Sequence, residues 1–390
     1  MLKDAVAVLD IGSSKVTLLV GEKGINDTFI IHNSCEVPYI GYDGDFFLDS
    51  NPIYSNVGIV EAIQNVIETV SRNSSINLEK LFVGVPGKFL KVFTKKHSNS
   101  YEKKIKITNK EIERFKTTAL QSFKVNEYSI INTQIVYCTL SDGTKIINPL
   151  GSKSVNLSGI LSFSMCDNRF LNLLDKVFEK CDIKNVVYVP SPLAECLYLF
   201  SEDKRKACNI LLDVGYSSST LSVVHNDGIV FQHTFALGGA LISGKIMENY
   251  APEDCSPEKL INLLPVYEEI TKKINFGLEG SENYECVFNG EVYRFPARRI
   301  NAIAKEIFVD IAEEVTKSLE HLTDWLPNGT RVNLTGGGIS YLRGTCEKLR
   351  SYLSRGVDLI YPNVPMFKEP IESSKLALLN FALNNNRSKK

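Results

Sequence analysis

The chain has 390 residues, 44% hydrophobic and 23% charged, with a formal net charge of −1. That balance predicts two or more domains with sizeable cores and excludes a disordered chain. Near-neutral charge argues against a protein whose main task is coating nucleic acid. Nine scattered cysteines show no CxxC pair and no Cys/His cluster at zinc spacing, so they read as reduced thiols of a cytosolic chain. The start, MLKDAVAVLD, is too short in apolar residues for a signal peptide, and no apolar run reaches the about 18 residues of a membrane helix.

In chain order, residues 6–9 and 16–20 are short β-rich runs around Ile11-Gly12-Ser13-Ser14, which predicts a hairpin and not a Walker-type phosphate loop. Residues 57–71 have helical spacing, and LFVGVPG (81–87) reads as a buried strand with a glycine exit. The segment 85–164 reads as a separate, lysine-rich unit. Within it, TNKE (108–111) predicts a capping box with Thr108 as N-cap, opening a helix over 111–123. Strands are expected at 129–140, 144–150 and 157–164, with a turn at Ser141-Asp142-Gly143. A helix at 168–179, a strand at 186–190 and a helix over 192–200 follow. Residues 209–235 read as three strands linked by two glycine turns. Ser256-Pro257 opens a helical region to about residue 274. Residues 277–296 read as loop and hairpin, and 300–322 as a long amphipathic helix. RVNLTGGGISYLRG (331–344) reads as strand, triple-glycine turn and helix start, and 374–383 as the last helix. Alternating strands and helices give an α/β class.

One phrase occurs twice. LDIGSSKVTLLV (9–20) is echoed by LDVGYSSSTLSVV (212–224). Each copy is a hydrophobic strand ending in Asp (Asp10, Asp213), a Gly/Ser turn, then a second strand. Such a turn offers backbone N–H groups and hydroxyls to phosphate oxygens, from Gly12, Ser13 and Ser14 in one copy and Gly215, Ser217 and Ser218 in the other. The Asp at the strand end suits Mg²⁺ held through water. Taken singly, the motif is no more than a hairpin turn. Two copies facing each other would clamp a triphosphate from both sides. Gly336-Gly337-Gly338 would let backbone pass close to a flat base.

On these three motifs the chain resembles the actin-like ATPase superfamily: LDIGSSK as first phosphate loop, LDVGYSSST as second, LTGGGISYLRG as adenosine motif. Within it, the chain is most similar to the FtsA family of bacterial cell-division proteins, over nearly its whole length. INPLG (147–151), VPSPLAECLYLFSEDKR (189–205) and LGGALISGKIMENY (237–250) carry that likeness. The resemblance implies an actin-like ATPase fold of two duplicated ribonuclease H-like domains with an FtsA-type inserted subdomain. The first domain would comprise 1–84, 165–203 and 370–390, the inserted subdomain 85–164, and the second domain 204–245 and 299–369. Residues 246–298 would line the nucleotide cleft and offer a candidate site for the FtsZ tail. The implied cofactors are ATP and Mg²⁺, the latter on Asp10 and Asp213. Lys15 would face the β- and γ-phosphates, with a surface lysine at the hairpin tip as the other reading. Glu195 would position water, or be a solvated helical Glu. Gly238 and Gly239 would form the second connection, and Lys273 would touch ribose and adenine. The implied partners are a second copy in a filament, the FtsZ C-terminal tail, other division proteins and a membrane, with no nucleic acid. The implied location is the cytoplasmic face of the membrane at the division site.

The match also weakens. Tyr216 sits where a further glycine is usual, Leu221 ends the second loop without a charge, and Lys245 follows where an acid is expected. Fast hydrolysis is therefore not expected, and a slow ATPase is the most the sequence supports. No amphipathic anchor is evident; residues 376–383 are expected to be a packed core helix. A scaffold that has lost nucleotide chemistry, including a pilus-assembly type, is the alternative. A sugar or acetate kinase of the same superfamily would need a catalytic Asp in a substrate pocket, and none stands out. The lysines between 88 and 116 read as a contact surface for an acidic partner or as a solvated face.

Overall fold

The computed structural model describes residues 5–39, 57–73, 78–121, 126–252, 256–278, 280–322, 325–327 and 329–386. Among these residues, eight cysteines are free and no helix is long and apolar enough to cross a membrane; Cys255 lies outside them.

The chain begins with β1 (Val6–Ile11), β2 (Lys15–Lys23), β3 (Phe29–Pro38), α1 (Val57–Asn73) and β4 (Lys80–Val85). An inserted lobe follows: β5 (Leu90–Lys106), α2 (Asn109–Leu120), β6 (Tyr128–Leu140), β7 (Lys145–Ile146) and β8 (Lys153–Asp167). The chain returns through α3 (Asn168–Lys180), β9 (Asn185–Pro190), α4 (Ser191–Leu199) and α5 (Glu202–Arg205). The second half contains β10 (Asn209–Val214), β11 (Ser219–His225), β12 (Gly228–Phe235), α6 (Ala240–Tyr250), α7 (Pro257–Lys272), β13 (Asn283–Phe288), β14 (Glu291–Pro296) and α8 (Ala297–Glu320). It closes with β15 (Val332–Thr335), α9 (Thr345–Leu353), β16 (Val357–Leu359) and α10 (Ser373–Asn386).

Two five-stranded sheets have the same plan: β3-β2-β1-β4-β9 and β12-β11-β10-β15-β16. In each, an antiparallel meander of three strands is extended by two parallel strands. The duplication reaches single residues. Asp10 pairs with Thr17 as Asp213 pairs with Thr220, and the register slips at Val20/Gly21 in one copy and at Val223/Val224 in the other. The recurrent D-x-G phrase is therefore one supersecondary unit used twice.

Apolar faces explain the layers. On α8, Ile300, Ala304, Ile307, Ile311, Val315 and Leu319 recur at three- and four-residue spacing and are buried against the second sheet. α1 and α3 cover one face of the first sheet, and α10 covers the other. Leu376, Ala377, Leu378, Leu379 and Ala382 are all fully buried there, as expected for a packed core helix. The inserted lobe is a separate four-stranded sheet, β5-β8-β6-β7, with its own core under α2 around Phe115, Leu161 and Phe163. Its other face meets β12, where Ser162 donates to the Ile229 carbonyl and Asn226 to that of Val136.

Several sequence expectations need correction. The strands β3, β5 and β16 were not anticipated. β7 is only Lys145–Ile146, because Asn148 caps Leu150 N–H at 3.0 Å and Pro149 has no N–H to give a ladder. Thr108 is the N-cap of α2, but its hydroxyl donates to the Glu111 carboxylate instead of accepting a backbone N–H. The triple glycine does not open a helix: residues 336–344 are turns, and α9 begins at Thr345.

Candidate functional site

The two hairpin turns face each other between the sheets. Each is closed the same way: Gly12 N–H donates to the Lys15 carbonyl at 3.0 Å, and Gly215 N–H to that of Ser218 at 2.9 Å. Each is also held from outside. Tyr39 clamps the first turn, its hydroxyl on the Gly12 carbonyl at 2.7 Å and its N–H on that of Ser14 at 3.1 Å. The second turn is clamped by Gly239 N–H on the Gly215 carbonyl, Ala240 N–H on that of Tyr216 and Gly338 N–H on that of Val214. The turns then touch: Ser217 N–H donates to Ser13 Oγ at 3.1 Å.

Below this contact is a chamber of about 180 Å³. Its walls include Asp10, Gly12, Ser13, Ser14, Lys15, Glu195, Asp213, Gly215, Ser218, Gly336 and Gly337. It opens beside a second chamber of about 1060 Å³, lined by Tyr39, Gly239, Leu264, Glu268, Thr271, Lys272, Gly338, Ser340 and Tyr341. Ser13, Ser14, Lys15, Tyr216, Gly337, Pro370 and Ile371 border both.

Three carboxylates share the smaller chamber. Burial, and then the charges of Asp213 and Asp10, push Glu195 well above the carboxylate range. Burial, and then Asp10, push Asp213 up to about 7. Asp10 is raised by burial and partly restored by Ser374 Oγ, which donates to it at 2.7 Å. Of the cations nearby, Lys15 pairs with Glu36 at 2.8 Å and Lys375 with Glu372 at 2.9 Å, both lower the Asp10 pKa in part, and Lys88 is also on the wall. Three carboxylates gathered in one chamber suit a divalent cation. Among the described residues, however, no three His, Cys, Asp or Glu groups could hold a metal together. A cation reached through its own water shell, as Mg²⁺ prefers, is what this donor set fits.

Gly336 shows why backbone must be bare here. Its φ is +91°, and a Cβ would lie 2.1 Å from Asp213 Oδ1. A side chain would displace the carboxylate.

Most sequence-proposed residues meet at this cleft, but not in equal roles. Ser217 contributes its N–H, and Gly238 lies behind the second turn against the Tyr216 carbonyl. Lys273 is not a wall residue. It caps α7, its Nζ donates to the Glu285 carbonyl at 2.6 Å, and it pairs with Glu269 at 3.7 Å. Helical phase is the reason: Leu264, Glu268, Thr271 and Lys272 share the face of α7 turned to the cleft, and the next residue is rotated by about 100°. Glu195 is 3% exposed, so the solvated-helix reading fails.

Sequence reasoning missed Gly87, Lys88, Ser191, Thr220, Ile371 and Ser374, all wall residues of the smaller chamber. LFVGVPG was a usable signal, since β4 lies beside β1 as β15 lies beside β10, which makes Pro86-Gly87 the counterpart of the glycine run.

No protein-family model matches the chain. It is similar in structure to the PilM–PilN type IV pilus biogenesis complex (15% identity, 97% of this chain and 98% of that one, TM-score 0.61). It is also similar to MreB 5 of Spiroplasma citri bound to AMPPNP (11% identity, 99% and 98%, TM-score 0.54). Duplicated sheets around a two-turn cleft thus place the chain in the actin-like ATPase fold. Its curated relatives narrow this. The cell division protein FtsA of Streptococcus pneumoniae serotype 2 is 25% identical over 379 residues, 96% of this chain and 79% of that protein. FtsA of Bacillus subtilis is 24% identical over 388 residues, 97% and 83%. The chain is an FtsA-like protein of the actin fold.

Proposed function

We propose that this chain is a filament-forming cell-division protein that binds ATP with Mg²⁺ in the cleft and links the FtsZ ring to the division machinery at the cytoplasmic face of the membrane. The observation that carries the nucleotide reading is the meeting of Ser217 N–H and Ser13 Oγ above three buried carboxylates. Phosphate oxygens inserted there would receive the Ser13 and Ser14 hydroxyls and the N–H of Ser217. Lys15 would leave Glu36 for the phosphates. Asp10 and Asp213 would hold Mg²⁺ through water, and the ion would neutralise phosphate charge. The larger chamber would take base and sugar, with Gly337 and Gly338 against the base and Glu268, Thr271 and Lys272 toward the ribose. The domain boundaries drawn from the sequence are part of this reading, as is a site for the FtsZ tail on residues 246–298.

Turnover would be slow. Burial and its acidic neighbours favour the protonated form of Glu195, and that form is the one unable to take a proton from water. A scaffold without nucleotide chemistry is the second reading, favoured by Tyr216 in place of a glycine. Calorimetric titration with ATP at millimolar Mg²⁺ decides between them. Saturable binding that requires Mg²⁺ supports the first, and no heat up to millimolar ATP supports the scaffold.

A further inference from the structure

Where the first turn carries Ser13, the second carries Tyr216, and its side chain does something no other turn residue does. Its hydroxyl donates to Glu268 Oε1 at 2.6 Å, joining the second turn to α7. Tyr216 borders both chambers, and Glu268 is on the wall of the larger one. The backbone beneath cannot follow the ring. The Tyr216 carbonyl accepts Ala240 N–H at 2.8 Å, and Gly238 packs so tightly that a Cβ there would be 2.3 Å from the same carbonyl. With that backbone fixed, rotation of the Tyr216 or the Glu268 side chain is what releases the bond.

We propose that Tyr216 is an internal latch: its hydroxyl occupies the carboxylate that would otherwise receive the sugar hydroxyls of a nucleotide, so ribonucleotides bind by displacing it. This inference rests on the nucleotide reading of the cleft. A carboxylate has lone pairs for both hydroxyls of a vicinal diol, and a phenol donor takes one of those positions in advance. Burial, followed by the hydrogen bond to Glu268, raises the phenol pKa, so the donor stays protonated over the physiological range. A ligand binds more weakly, by that fraction, to a protein whose binding-competent state is only partly populated. The penalty falls only on ligands that need Glu268, which makes Tyr216 a specificity residue for the sugar.

The test is titration of the full chain with Mg-ATP and with 2′,3′-dideoxy-ATP, in the native sequence and in Tyr216→Phe. A charge-assisted hydrogen bond of this kind corresponds to roughly a tenfold effect. Tyr216→Phe is expected to tighten ATP about tenfold and to leave the dideoxy nucleotide within twofold. In a Glu268→Gln background, where the diol has lost its charged acceptor, the gain for ATP should shrink to less than threefold. Thermal unfolding without nucleotide checks that each variant folds. Unchanged or weaker ATP binding in Tyr216→Phe overturns the latch and leaves the nucleotide reading standing. Equal gains for both nucleotides overturn it too, because the ring would then act by bulk alone. No binding of either nucleotide to either protein overturns the nucleotide reading, and the latch with it.

Discussion

The two hairpins share register, bulge position and the Asp–Gly order, yet they differ in what fills the turn and in what holds it. The first turn is small-residue and serine-rich, and a tyrosine hydroxyl and N–H hold it from outside. The second is held by backbone groups of the 238–240 and 336–338 segments and ties its own tyrosine to α7 of the same half. Duplication therefore fixed the geometry of the carboxylates, while the side chains between the glycine and the second strand were free to diverge. The first half offers donors to a ligand. The second half adds a side chain that is itself a competitor.

The comparison breaks most severely at Gly336, which belongs to the second half alone. Gly336→Ala meets Asp213 and an unfavourable φ together, so a loss of about 3 kcal/mol or more is expected. Thermal unfolding should show a fall of several degrees and less soluble protein.

A smaller effect separates the aspartates. Asp213 has a folded-state pKa of about 7 against an ordinary 3.8, so its contribution to stability is fully present below 3.8 and lost as pH rises through about 7. Asp213→Asn should flatten that fall and raise the melting temperature of the nucleotide-free protein at pH 8 by a few degrees, while abolishing Mg-dependent nucleotide binding. Melting curves from pH 5 to 8 check it; an unchanged slope would show that the carboxylates do not repel as described. Asp10, relieved by Ser374, should give a weaker stabilisation when changed to Asn.

The mildest test concerns the serines that meet. Ser13→Ala removes the oxygen that takes Ser217 N–H and is expected to weaken ATP binding about fivefold. Ser217→Ala keeps the N–H and should stay within twofold. Equal losses would mean that both side chains contact the ligand and that the asymmetry drawn here is wrong.

Much of this was legible because it was written as local pattern. Asp-Gly-Ser turns between β-branched runs, and apolar residues at helical spacing in α8, declare themselves within a dozen residues. β3 did not, because polar His32, Asn33 and Ser34 sit mid-strand and Ile31, His32 and Asn33 are all half-buried, so the period-2 alternation that marks a strand is broken there. The cleft was half legible. Its glycines and aspartates lie in the motifs, but Thr220, Ser374 and Ser191 are ordinary residues that only the topology brings there. Lys273 lies off the chamber wall while Lys272 lies on it, a difference of one residue of helical phase that is finer than any pattern in the sequence. The tyrosine was visible as a departure, but its partner Glu268, 52 positions away, was not.

α10 has a consequence for the order of assembly. It lines the face of the first sheet with fully buried leucines, and its Ser374 holds Asp10 across 364 residues of chain. Its Ser373 meets Thr335 of the other sheet at 2.7 Å. During synthesis, β1 and β2 emerge before α10, so their second apolar face must wait for the more than three hundred residues between them before it is covered. The second sheet, whose partners are closer in sequence, can consolidate before the first. The half that is made first is then the last to close, and the same step that seals its core brings Ser374 to the aspartate of the cleft.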